Sequence, residues 1–128
     1  MNELTSGVSW IAVVVSFILS FLLGWVWYSP GVFGKKWAEG VGVSLVDGSK
    51  MPVLAMVLQA LGTFCLAWLV GITAAHDALL TIILVFVTII LLIMSNGKYA
   101  QKSNVAVVIE GAYILVMGII MIICQGIF

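Results

Sequence analysis

Between Val8 and Tyr28 the chain runs for 21 residues without a charged side chain. Three further apolar runs follow, over about residues 52–75, 78–95 and 104–126, and Glu110 is the only charge inside any of them. A helix needs roughly 20 apolar residues to cross the hydrocarbon core, and lipid offers no partner for backbone polar groups, so such runs must be helical. The predicted fold is therefore an all-α membrane protein, a small bundle of four transmembrane helices making one domain over residues 1–128. Composition agrees. Hydrophobic residues are 64% of the chain and charged residues 8%, against roughly 25% charged in soluble domains, and 128 residues could not bury that much apolar surface in water. Net charge is zero and arginine is absent, which argues against a nucleic-acid partner.

The first run lacks the basic start and small-residue cleavage site of a secretory leader, so it reads as a spanning helix. It ends in an aromatic stretch, Gly24–Trp37, GWVWYSPGVFGKKW. Trp25, Trp27, Tyr28, Phe33 and Trp37 surround a Ser29–Pro30 break, and Lys35 and Lys36 follow. Indole and phenol rings settle at the headgroup level, and lysines in the water beyond it. The stretch reads as the exit of the first helix, with Pro30 biasing Ser29 out of helix. The alternative is an aromatic-lined pocket for a lipid headgroup or small cation, held by cation–π contact. A short interfacial helix is predicted over Val32–Gly40, with Phe33 and Trp37 on one face and Lys35 within reach of Glu39. Gly40, Gly42 and Asp47–Gly48–Ser49 read as turn material. Pro52 suits the first turn of the second helix.

The motif Gly24-Trp25-Val26-Trp27-Tyr28-Ser29-Pro30-Gly31-Val32-Phe33-Gly34-Lys35-Lys36-Trp37 resembles G-W-x-W-Y-S-P-x-x-F-G-K-x-W, the early signature of a family of small bacterial membrane proteins of unknown function. The resemblance implies a four-helix protein of the bacterial inner membrane. It implies no activity, so no catalytic or binding role passes to any residue.

Two stripes at four-residue spacing mark packing faces, because helices in lipid associate through small residues that let backbones approach. One is Ala12, Ser16, Ser20 and Gly24. The other is Ala55, Gln59, Thr63, Ala67, Gly71 and Ala75. The two are expected to meet. His76–Asp77 is a tight turn, with Asp77 expected to cap the third helix. That helix, almost entirely Leu, Ile, Val and Phe, is expected to be the most lipid-exposed. Asn96–Ser103 reads as a polar loop, and Gly111 and Gly118 lie nearly on one face of the fourth helix.

All five lysines (35, 36, 50, 98 and 102) fall in the first and third loops. The positive-inside bias places those loops in the cytoplasm and both termini outside. Strong polarity within the spans is confined to Gln59 and Glu110, each roughly 10 Å in from the lysine-bearing side at 1.5 Å per residue. With Tyr113 they form the candidate polar site. An intramembrane carboxylate costs about 2.5–3.5 kcal/mol at the bilayer centre and requires a partner. Gln59, the Tyr28 and Tyr113 hydroxyls, Lys98, Lys102 or a bound cation could serve Glu110. Cys65 and Cys124 read as core-filling thiols, His76 as an isolated turn residue, and no cluster has metal-ligand spacing. No metal, cofactor or enzymatic chemistry is expected. Two readings of function stand: an oligomerising structural or interaction protein, a homo-oligomer whose contacts the small-residue stripes support, and a proton- or cation-coupled transporter or channel with its site at Glu110 and Gln59.

Overall fold

The computed structural model describes residues 2–29, 31–41 and 53–128. Pro30, Gly42, the Asp47–Gly48–Ser49 turn, Lys50 and Pro52 lie outside the described residues. The elements are α1 (Asn2–Thr5), α2 (Trp10–Trp27), α3 (Gly34–Val41), α4 (Val53–Ala75), α5 (Leu79–Tyr99) and α6 (Asn104–Ile127). No strand occurs among the described residues. α2, α4, α5 and α6 are long and apolar enough to cross a membrane, and the chain is an all-α, multi-pass membrane protein.

The helix ends follow local chemistry. Ser9 caps α2 by accepting from the Ala12 N–H, and Ser103 caps α6 by accepting from the Ala106 N–H at 3.1 Å, each satisfying an orphan donor of a first turn. The expected Asp77 cap of α5 is not formed. Asp77 takes a left-handed φ of 54°, the Ala78 N–H donates to Thr73 O at 2.8 Å, and the Asp77 N–H donates to Ala74 O at 3.3 Å. That is a Schellman turn: Asp77 ends α4 instead of starting α5, whose N-cap position is Ala78. The same turn recurs at Gln101 (φ 63°), with the Lys102 N–H donating to Gly97 O at 3.0 Å.

The expected loop from Asn96 is corrected in part. α5 continues to Tyr99, because its last turn still has a surface to pack on. Gly97 is buried, and a side chain there would run within 2.9 Å of Val107 on α6. The expected interfacial helix forms as α3, but Lys35 and Glu39 stay exposed, and the one salt bridge among the described residues lies elsewhere.

α6 is the central post. It packs against α2, α3, α4 and α5 and buries ten residues, more than any other helix. Gly111 and Gly118 face α5, where Met94 and the Phe86 ring close on them. α5 buries only Ile82, Phe86 and Gly97, the fewest among the four long helices, matching its expected exposure to lipid. α2 and α4 pack closely, whereas α4 and α5 touch less and leave a groove between them.

The two stripes meet only over part of their length. Ala12, Ser16 and Ser20 are fully buried, as are Thr63, Ala67 and Gly71 within a few percent. Gly71 sits against Val13, and Phe17 packs edge-on to Phe64 at 5.6 Å. Toward the lysine-bearing end the stripes part. Ala55 and Gln59 are exposed, as is Ala75 at the far end, and Gly24 faces Tyr113 of α6 instead of α4. The reason is that α6, with a tyrosine at that level, fills the space beside Gly24.

Ser20→Leu should therefore lower stability by about 1–3 kcal/mol, since the added volume has to separate α2 from its neighbours. Leu22→Ala, on the exposed side of the same helix, should stay within about 0.5 kcal/mol of wild type. Thermal unfolding in detergent reads both, and equal midpoints for the two variants would contradict the packing.

Candidate functional site

The aromatic stretch folds back over the start of α6 as a clasp. Trp27 turns inward and its indole N–H donates to Ile109 O at 3.1 Å. Phe33 packs on the Trp27 ring at 4.7 Å. Tyr28 stands edge-on to Trp37 at 5.4 Å and to Tyr113 at 5.6 Å. The turn between α2 and α3 is tight: the Gly34 N–H donates to Ser29 O at 2.9 Å, and the Ser29 hydroxyl donates to Val26 O at 2.7 Å. A side chain at Gly34 would collide with the backbone of Tyr28 and Ser29, so only glycine permits this approach. Trp25, in contrast, is 63% exposed on the outer surface, where a headgroup-level ring belongs. Lys35 and Lys36 are exposed as expected.

α3 is amphipathic and lies on α6. Its last turn is tied down by the Ser103 N–H donating to Gly40 O at 2.8 Å. Its central residue, Trp37, donates its indole N–H to Glu110 Oε2 at 2.9 Å. The same oxygen accepts from Lys102 Nζ at 2.7 Å, and the two side chains are 25% and 13% exposed. Lys98 is occupied nearby, donating to Asn104 Oδ1 at 2.7 Å and to Lys102 O at 3.1 Å. Glu110 is thus paired by one of the partners considered from sequence, Lys102, and by one that was not, Trp37. No spacing rule connects residue 37 with residue 110. The available signal was an indole donor on the predicted interfacial face, level with the carboxylate.

Gln59 and Tyr113 are brought to each other. Gln59 Nε2 donates to the Tyr113 hydroxyl at 3.4 Å, and that hydroxyl donates to Ser20 O at 3.0 Å. A side chain at Gly24 would meet the same hydroxyl at 2.8 Å, so the glycine is what admits Tyr113 to the α2 backbone. No direct hydrogen bond joins Gln59 to Glu110. They share instead a cavity of about 290 Å³, lined among others by Tyr28, Gln59, Asn96, Lys102, Glu110 and Tyr113. A second, more apolar cavity of about 370 Å³ continues along the groove between α4 and α5, past Gly62, Leu66 and Ile89. Gln59 and Ile114 line both. Cys65 is exposed beside the groove and Cys124 is buried. No group of three His, Cys, Asp or Glu residues among those described could hold a metal ion.

The clasp predicts a graded response. Trp37→Phe keeps the ring contact with Tyr28 but removes one hydrogen bond to a charged group, and should cost about 1.5 kcal/mol. Lys102→Met leaves a partly buried carboxylate without its cation and should cost about 3 kcal/mol, between the ranges for exposed and buried pairs. Both share Glu110, so the double variant should cost measurably less than the sum. A thermal-melt double-mutant cycle in detergent checks this, and strict additivity would show the two contacts to be independent.

No curated protein and no solved structure matches this chain significantly. One family does, over residues 11–126, which takes in all but the end residues of the four long helices and the clasp. By that match the chain belongs to the family described as protein of unknown function, DUF1761.

Proposed function

We propose that this protein is a non-catalytic membrane interaction protein that self-associates through the α4 face beside the groove. The composition of that face carries the reading. Exposed positions of α5 are filled by residues that lipid solvates well, among them Leu80, Leu84, Leu91 and Leu92. On α4, Ala55, Gln59 and Gly62 are exposed at i, i+4 and i+7. No described residue lies within 4 Å of where a Gly62 side chain would stand. Small residues let a second helix approach, and a glutamine can bond across the contact. Among the described residues Gln59 makes one long side-chain hydrogen bond, at 3.4 Å, so amide capacity remains for a partner.

Proton- or cation-coupled transport at Glu110 and Gln59 is the second reading, favoured by the cavity that the two residues share. The pairing of Glu110 with Lys102 and Trp37 weighs toward the first reading, because it gives the carboxylate a structural task. For orientation, the reading adopts a cell inner membrane with both termini outside. Lys35, Lys36, Lys98 and Lys102 lie around the same end of the bundle, after α2 and between α5 and α6, which supports placing that end in the cytoplasm.

Cys65 is an internal probe of the interface, since Cys124 is buried. Mild oxidation or a short bis-maleimide in native membranes should yield a covalent dimer that Cys65→Ser abolishes. Gly62→Leu should sharply reduce its yield, and Gln59→Leu should weaken association by about 1 kcal/mol. A monomeric mass in detergent together with no cross-linked species would remove self-association.

Topology has its own check. Reporter fusions after Phe128 should behave as extracytoplasmic, and a reporter inserted in the 42–50 stretch as cytoplasmic. The reverse pattern would invert the orientation.

A further inference from the structure

We infer that the cavity beside Glu110 is a binding site for a primary ammonium group, the chemistry shared by an aminophospholipid headgroup and a small soluble amine. The site is built within one chain and does not depend on self-association.

One acceptor at the cavity is left unmet. Glu110 Oε2 accepts from both Trp37 and Lys102, but Oε1 is buried and has no hydrogen-bond partner among the described residues. A carboxylate oxygen shut away without a donor is costly, more so in a low-dielectric setting. What the site lacks is therefore a donor, and a cationic donor is the strongest kind. Gly97, on the cavity wall, is the neighbour of Oε1: a side chain there would stand 3.5 Å from it. The terminal torsion of a glutamate is soft, so a small rotation of the carboxylate presents Oε1 to the cavity.

Charge points the same way. Among the described residues Lys102 is the one cation lining the cavity, and its ammonium is bonded to Oε2 of Glu110, which leaves Oε1 unanswered. The unanswered group is an acceptor that shares the carboxylate's negative charge, and a cationic donor completes it. Tyr28 and Tyr113 line the same space, and aromatic side chains attract an ammonium. A volume of about 290 Å³ lies at the small end of ligand sites, suited to a compact head. Lys102 lines the cavity, and the exposed Trp25 belongs to the same end of the bundle, the level at which lipid headgroups sit.

The test uses the full chain and a headgroup methylation series. Phosphatidylethanolamine, its mono- and dimethyl forms and phosphatidylcholine keep the charge and remove N–H donors one at a time. Native mass spectrometry from detergent should show retention falling along the series, by about tenfold from first to last, as expected for losing a hydrogen bond to a charged group. Glu110→Gln should flatten the series. Because Glu110 also holds the clasp, a second variant is needed. Asn96→Phe fills the exposed rim of the cavity, leaves Trp37, Lys102 and Glu110 intact, and should also abolish the preference. Competition with millimolar ethanolamine separates the sources. Displacement identifies the ammonium alone as sufficient, and no displacement identifies the lipid-borne headgroup, with the site standing in either case. Equal retention along the series, preference for phosphatidylglycerol, or unchanged selectivity in both variants would overturn the proposal.

Discussion

A carboxylate inside an apolar bundle has to be paired, and one end of this protein is arranged around that requirement. Glu110 stands on α6, two turns from its start, and its Oε2 gathers an indole N–H from α3 and an ammonium from the turn after α5. Neither donor could arrive alone. Trp37 is delivered by the tight Ser29–Gly34 turn and by its edge-on contact with Tyr28. Lys102 is delivered by the Schellman turn at Gln101, which reverses the chain within a few residues. One hydrogen-bonded group thus ties the distant α3 and the turn just before α6 to α6 itself, at a level where each unmet polar group is expensive.

Just below that clasp, Tyr113 joins the remaining pieces. Its hydroxyl bonds Ser20 O on α2 and accepts from Gln59 on α4. Its ring meets Trp27 at 6.3 Å and Tyr28 at 5.6 Å. The apolar half of the bundle is held differently, by small residues and close packing around Val13, Ala67, Gly71 and Met121. The molecule therefore has a polar, hydrogen-bonded end and a dry, shape-matched end, and the groove between α4 and α5 runs from one to the other. Where α4 leaves the bundle, Ala55, Gln59 and Gly62 remain uncovered. The proposed self-association and the proposed ammonium site both grow out of that incomplete closure.

The sequence by itself determined the class of fold, the number of long helices, the short interfacial helix and the level of the polar groups. These depend on local properties: the length of apolar runs, the breaks between them and the positions of lysines. It also marked Ser16, Ser20, Thr63 and Ala67 as packing residues, because small side chains in lipid have few other uses. Tertiary structure alone decided what each face meets. α6, not a contact between two equivalent stripes, is the hub, and Gly24 serves Tyr113 where a match with α4 was expected. Asp77 ends a helix instead of starting one, since a left-handed turn and an N-cap draw on the same residue types. Trp37 could be placed on an interfacial face from sequence, but its hydrogen bond to Glu110 spans 73 positions, and partners that far apart are chosen by how helices cross, which no local spacing encodes.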